Sequence, residues 1–176
     1  LDRDTAHMIY TSGTTSRPKG VETSHLSLYF SAMGNAISLS APLGQKQLLV
    51  LPMFHCAAVS LLLTTLNLGG SIVIQPAFEA NDIVRTLQQE RVQSMALLPM
   101  MWKGLLAVEG IDQMSFPDFE YGIYAMAPMD TQSLQKIRDT FDCQMHLGSG
   151  QTEFAPSACI FHDGSEQENP DGNYWG

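Results

Sequence analysis

A chain of 176 residues, 44% of them hydrophobic, is long enough for one domain with a real core, while charged residues at 15% fall well below the usual quarter, so part of the surface is expected to be covered. A formal net charge of −9 disfavours non-specific attraction to nucleic acid or to an anionic membrane, and no apolar run reaches transmembrane length. The three cysteines, Cys56, Cys143 and Cys159, are too scattered for a disulfide framework and fit a reducing, cytoplasmic compartment. The chain starts at Leu1 and stops at Trp175-Gly176, as expected of a piece of a longer protein, and no secretory leader is visible.

Thr5 to Tyr10 reads as a short strand. It runs into residues 10–20, YTSGTTSRPKG, with hydroxyls at Thr11, Ser12, Thr14, Thr15 and Ser16, free backbone at Gly13 and Gly20, and one ammonium at Lys19. Backbone N–H groups, hydroxyls and a single cation can together wrap a polyphosphate. The pattern is not the usual P-loop, because Lys19 precedes Gly20 and Pro18 keeps Arg17 out of the helical region. The same proline argues against reading Ser16-x-x-Lys19 as the nucleophile pair of a penicillin-recognising enzyme. Composition alone leaves two readings open: a phosphate-binding loop and a plain polar turn.

Ser24 is placed to cap a helix whose apolar face is Leu26, Tyr29, Phe30, Met33 and Ile37, with Pro42 and Gly44 ending it. Gln47–Leu51 reads as a buried strand, Cys56–Leu68 as a helix ended by Gly69-Gly70, and Ser71–Gln75 as a β-branched strand. Asn81 is expected to cap the next helix, followed by a strand over Gln93–Leu98 and a helix over Met100–Val108. Tyr121–Met126 reads as strand, Asp130 as the cap of a helix with Leu134, Ile137 and Phe141 inward, and Gln144–Leu147 as strand. This alternation predicts an α/β fold, a mainly parallel sheet flanked by helices, with ligands bound beyond the carboxyl ends of its strands. Residues 1–161 are expected to form the core, and residues 162–176 a polar loop. Cys143/His146 and Cys159/His162 have a spacing seen in zinc sites. On a strand, residues three apart face opposite sides, so the Cys143 pair is a poor grip for one ion.

Three more patches carry chemistry. Phe54-His55 follows a strand and Pro52, where a histidine is either a hydrogen-bonded structural residue or a site residue. Ala125-Met126-Ala127-Pro128 leaves the fifth predicted strand. Gly148-Ser149-Gly150-Gln151-Thr152-Glu153 follows the sixth; its Thr152 could donate to a phosphate oxygen and its Glu153 could hold a hard cation, or the segment is a glycine turn with a capping threonine.

The loop string resembles the signature of the adenylate-forming superfamily, which holds acyl-CoA synthetases, firefly luciferase and peptide-synthetase adenylation domains. It matches at Tyr10, Thr11, Ser12, Gly13, Thr14, Thr15, Pro18, Lys19 and Gly20, with Ser16 where the family normally has glycine. The segment at 148–153 is similar to the family's Tyr-Gly-x-Thr-Glu motif through Gly150, Thr152 and Glu153, with Ser149 in the place of the aromatic. Ala127 and Pro128 resemble the end of its Gly-Gly-Ala-Pro segment, and the patches occur in the family's order. The resemblance implies an ATP-dependent ligase that activates a carboxylic acid as its acyl-adenylate and passes it to coenzyme A. It implies that Thr11, Ser12, Gly13, Thr14, Thr15 and Lys19 hold the β- and γ-phosphates, Thr152 the α-phosphate and Glu153 a Mg²⁺ ion. Ala127, Pro128, Ser149, Gly150 and Gln151 would border the nucleotide, and Phe54, His55, Ala125 and Met126 the acyl pocket. Lys19, Thr152 and Glu153 are the expected catalytic set. His55 stands where amino-acid-activating members place an aspartate, so a plain carboxylic acid is favoured over an amino acid. The family's ribose-binding aspartate, hinge and adenylate-forming lysine belong to downstream sequence, so these residues alone are expected to lack turnover. The alternatives are a non-catalytic nucleotide-binding homologue, a luciferase-like oxygenase, and an amino-acid or aryl-acid adenylation domain.

Overall fold

A computed structural model describes residues 1–12, 17–155 and 157–165, with only the backbone at Ser157 and Ala158. Strands β1 (Thr5–Thr11) and β2 (Lys19–Ser24) lead into α1 (His25–Ser38), then β3 (Lys46–Leu49), α2 (Cys56–Asn67) and β4 (Ser71–Ile74). There follow α3 (Ala80–Glu90), β5 (Ser94–Leu97), α4 (Pro99–Leu106), β6 (Tyr121–Ala125), α5 (Thr131–Phe141), β7 (Gln144–Gly150) and β8 (Ser157–Phe161). Among the described residues the main sheet has six strands in the order β4-β3-β5-β6-β7-β8. All its pairings are parallel except β7 with β8.

The central strands are apolar on both faces because helices cover both. One face buries Leu48, Met95, Leu97, Tyr124, Met145 and Leu147 against Ile83 and Leu87 of α3, Trp102 and Leu105 of α4, and Leu134, Ile137 and Phe141 of α5. The other buries Leu49, Ala96, Tyr121 and Ile123 beneath Ala58 and Leu61 of α2 and Leu39 at the end of α1. Trp102 has 0% exposure; its indole N–H donates to the Ile123 carbonyl at 3.1 Å and its ring stands edge-on to Phe141. A Cβ at Gly122 would sit 2.6 Å from the indole, so glycine is the residue that lets the ring lie against β6.

The amino ends of the strands carry a buried polar network. The Tyr121 hydroxyl donates to Gln45 Oε1 at 2.6 Å and Ser94 donates to the same oxygen at 3.3 Å. Gln45 Nε2 donates to Thr65, whose hydroxyl donates on to Gln47 Oε1 at 2.9 Å. Burial pushes the Tyr121 phenol above its ordinary range, so it stays a donor.

Several sequence expectations are corrected. β1 is not part of the parallel sheet: among the described residues it pairs only with β2, antiparallel, in a separate ribbon that flanks the signature loop. Gly20 and Pro18 hide β2 in the sequence, yet Val21 and Thr23 alternate inward and the Met8 side chain fills the space a Cβ at Gly20 would need. The antiparallel edge strand β8 is also absent from the sequence reading. The third helix starts before Asn81 and its N-cap is Glu79, without a side-chain capping bond. α1 ends at Ser38, ahead of Pro42, because the chain turns through Leu39 and a left-handed Ser40 with φ 49°. The caps at Ser24 and Asp130 are as expected. Ser24 Oγ accepts from Ser27 N at 3.2 Å, and Asp130 Oδ1 accepts from Ser133 N at 2.8 Å. The Lys103 ammonium on Asp130, with the capping bonds, holds that carboxyl well below the usual range. Ser24→Ala should cost about 1 kcal/mol, read as a lower urea midpoint at unchanged slope. Of the expected polar tail, residues 166–176 lie outside the described residues.

Candidate active site

The carboxyl ends of β5, β6 and β7 and the first turns of α2 surround a cavity of about 150 Å³. Its deep walls are apolar, with Leu39, Leu51, Leu61, Ala96 and Ile123; His55, Met126, Ser149 and Gly150 stand toward the solvent side. The main sheet thus opens where doubly covered parallel sheets ordinarily hold ligands.

His55, Ala125, Met126, Ser149 and Gly150 meet on this cavity, drawn from three separate stretches of sequence. Phe54 does not join them. It is 82% exposed in the turn before α2, and its place on the wall is taken by Cys56 at the first helical position. His55 is the N-cap of α2, and its Nδ1 accepts from Ala57 N at 3.2 Å. That bond puts the ring proton on Nε2, which is then a donor. Met126 adopts a left-handed backbone with φ 69° as the chain leaves β6, and Ala127 and Pro128 follow on the surface.

Thr152 and Glu153 open a short 3-10 turn after β7, preceded by the exposed Gln151. The Thr152 hydroxyl donates to Cys56 Sγ at 3.4 Å, which ties this turn to the cavity wall. Glu153 is exposed and pairs with no cation among the described residues. β2, whose first residue is Lys19, packs beside the same turn. Lys19 pairs with Thr11 across the ribbon, and both flank the signature loop together with the exposed Ser12. Gly13, Thr14, Thr15 and Ser16 lie outside the described residues. The two ends of the loop and the Thr152–Glu153 turn therefore border one side of the molecule, next to the cavity mouth.

A family model, AMP-binding enzyme, matches residues 2–174. This chain belongs to the AMP-binding enzyme family. Among curated relatives, the long-chain-fatty-acid–CoA ligase FadD13 of Mycobacterium tuberculosis is 31% identical over 150 residues, covering 85% of this chain. The 2-succinylbenzoate–CoA ligase of Bacillus licheniformis is 34% identical over 104 residues, or 59% of this chain. The matched region makes up 30% and 22% of those two proteins, so the chain spans under a third of their length. Among solved structures, the inhibitor-bound N-terminal domain of FACL13 from Mycobacterium tuberculosis superposes with a TM-score of 0.85 at 28% identity, covering 92% of this chain and 40% of that one. O-succinylbenzoate coenzyme A synthetase (MenE) from Bacillus subtilis, solved with ATP and magnesium ion, has a TM-score of 0.85 at 24% identity, over 96% of this chain and 35% of that one; it bears on the fold alone. The family resemblance and the mainly parallel α/β fold read from the sequence are both borne out.

Two cavity residues, Cys56 and Asn35, escaped the sequence reading. Outside the cavity, His146, read in the sequence only as half of the Cys143/His146 pair, lies buried on β7 on the same face of the sheet as Ile123. Its side chain is 3% exposed, neither ring nitrogen has a hydrogen-bond partner among the described residues, and the ring stands edge-on to Tyr121 and His162 at 5.8 Å each. Burial, followed by the neighbouring His162, pushes its pKa below the ordinary 6.5, against the opposing pull of Asp163. A histidine with a depressed folded pKa favours the folded state in its neutral form. Stability should therefore fall as the pH drops below about 6.5, and level off below the folded pKa. Urea midpoints measured between about pH 7.5 and pH 5 should show this slope, and His146→Phe should flatten it.

Proposed function

We propose that the full-length protein is an AMP-forming acid–thiol ligase. ATP and a carboxylic acid would give an acyl-adenylate and pyrophosphate, and coenzyme A would take the acyl group. The observation that carries this reading is the shared border of the signature ribbon, the Thr152–Glu153 turn and the apolar cavity. ATP supplies the activated α-phosphorus, and Mg²⁺ the charge that lets two anions meet. Lys19 offsets phosphate charge beside the loop formed by Thr11 to Thr15. The Thr152 hydroxyl turns from Cys56 to donate to the α-phosphate, and Glu153 holds the cation with its exposed carboxylate. Ala127, Pro128, Ser149, Gly150 and Gln151 border the nucleotide. The Nε2–H of His55 orients the substrate carboxylate at the cavity mouth, with Ala125 and Met126 beside it. These residues act by positioning and charge neutralisation. A cytoplasmic setting agrees with the three free cysteines.

Acid-dependent exchange of labelled pyrophosphate into ATP by the full-length protein, requiring Mg²⁺, tests the first step, and mass detection of a coenzyme A thioester tests the second. Nucleotide binding without exchange on any acid would favour the second reading, a non-catalytic nucleotide-binding homologue. Ser149, standing where the resemblance expects an aromatic ring, is the observation behind that alternative.

A further inference from the structure

The cavity wall includes one polar atom, Asn35 Oδ1, with no donor among the described residues. Asn35 projects from α1, is 4% exposed and forms part of the wall with Ser60 of α2. Its amide nitrogen donates to Ser60 Oγ at 2.6 Å and to Thr64 Oγ1 at 3.5 Å. The Thr64 hydroxyl proton is committed to the Ser60 carbonyl at 2.8 Å, so its oxygen is an acceptor, which fixes the amide nitrogen on the α2 side. Asn35 Oδ1 is left as an acceptor, and no described residue donates to it. Around it the wall is apolar. The volume, about 150 Å³, is that of a cavity that takes a benzene-sized guest.

We infer that the cavity selects a compact carboxylic acid, one ring or a short chain, that carries a hydrogen-bond donor such as a hydroxyl at the end remote from the carboxylate, and that Asn35 reads this donor. This rests on the ligase reading for its chemistry. The polarity of the site sets the orientation. The charged end of the acid belongs at the mouth, where His55 donates and Thr152 and Glu153 adjoin. The far end meets Asn35 and Ser60, buried between α1 and α2. A buried acceptor favours a ligand that supplies its missing donor over the same ligand without one. A volume of about 150 Å³ leaves no room for a long unbranched chain.

The test uses matched acids with the full-length protein: para-hydroxybenzoate against benzoate, omega-hydroxyhexanoate against hexanoate, and palmitate as the oversized control. The hydroxylated member of at least one pair should have a kcat/KM about tenfold higher, with palmitate the poorest substrate. Asn35→Leu should bring that ratio to near one, and Asn35→Asp, which keeps an acceptor, should retain it. A ratio near one in the wild type overturns the inference without any variant, as does a ratio unchanged in Asn35→Leu or efficient use of palmitate. Calorimetric binding of the same acid pairs is measured in parallel. If no acid supports pyrophosphate exchange, the ligase reading falls. A binding preference for the hydroxylated acid that is lost in Asn35→Leu would still uphold the cavity inference, and equal binding would overturn it.

Discussion

Exchanging Glu153 for glutamine in the full-length protein should cut adenylate formation about a hundredfold or more at saturating ATP, and raise the Mg²⁺ concentration needed for half-maximal rate. Glutamine keeps the size of the side chain and removes only its charge. Glu153 is exposed in its 3-10 turn and makes no ion pair with any described residue, so the substitution should leave the fold intact and isolate the electrostatic effect. Pyrophosphate release across a Mg²⁺ titration separates the two parameters. An unchanged titration curve would remove Glu153 from the cation's surroundings. Thr152→Val should lower the rate by a smaller factor, about tenfold, without moving the Mg²⁺ requirement, because a single hydroxyl donor is lost and no charge.

Trp102→Ala should have the largest effect on stability, about 3–5 kcal/mol. The indole has 0% exposure and packs against Phe141 with ring centres 5.8 Å apart and Phe119 at 6.3 Å. Its N–H also pins α4 to the backbone of β6 through Ile123. Removing it leaves a cavity lined by Phe141, Met145 and the bare backbone of Gly122, which cannot close without moving the sheet. Against a typical total of about 5–15 kcal/mol, this loss is a large share of the whole. Urea unfolding of the variant should show a midpoint far below that of the wild type; a shift of under about 1 kcal/mol would mean that α4 repacks readily.

What the sequence made legible was local in origin. Ser24 and Asp130 cap their helices through their own side chains, and the apolar run near Leu48 is buried as an inner strand. What it hid depends on distant parts of the chain. β2 is stabilised as a strand by Met8 packing over Gly20, while its composition is that of a turn. The cap moved from Asn81 to Glu79 because the helix gained two residues, Ala80 and Asn81, at its start without needing a side-chain acceptor. At the candidate site, His55, Met126, Ser149 and Gly150 were found as strings and do share a cavity, whereas Phe54, in the turn between Leu51 and the His55 cap, faces solvent. Asn35 left one trace. It is the polar member of a buried helical stripe with Leu28, Ala32, Ala36 and Leu39, and an amide in such a stripe needs a partner or a ligand.

The detached ribbon has a mechanical consequence. Among the described residues no ladder joins it to the six-stranded sheet, and its backbone is tied instead to the first turn of α1, where His25 N donates to the Asp4 carbonyl at 3.2 Å and Leu26 N to the Asp2 carbonyl at 2.8 Å. Three turns along, the same rod carries Asn35. A roll of α1 about its axis would therefore move the ribbon and the Asn35 wall of the cavity together, as two loads on a single rod.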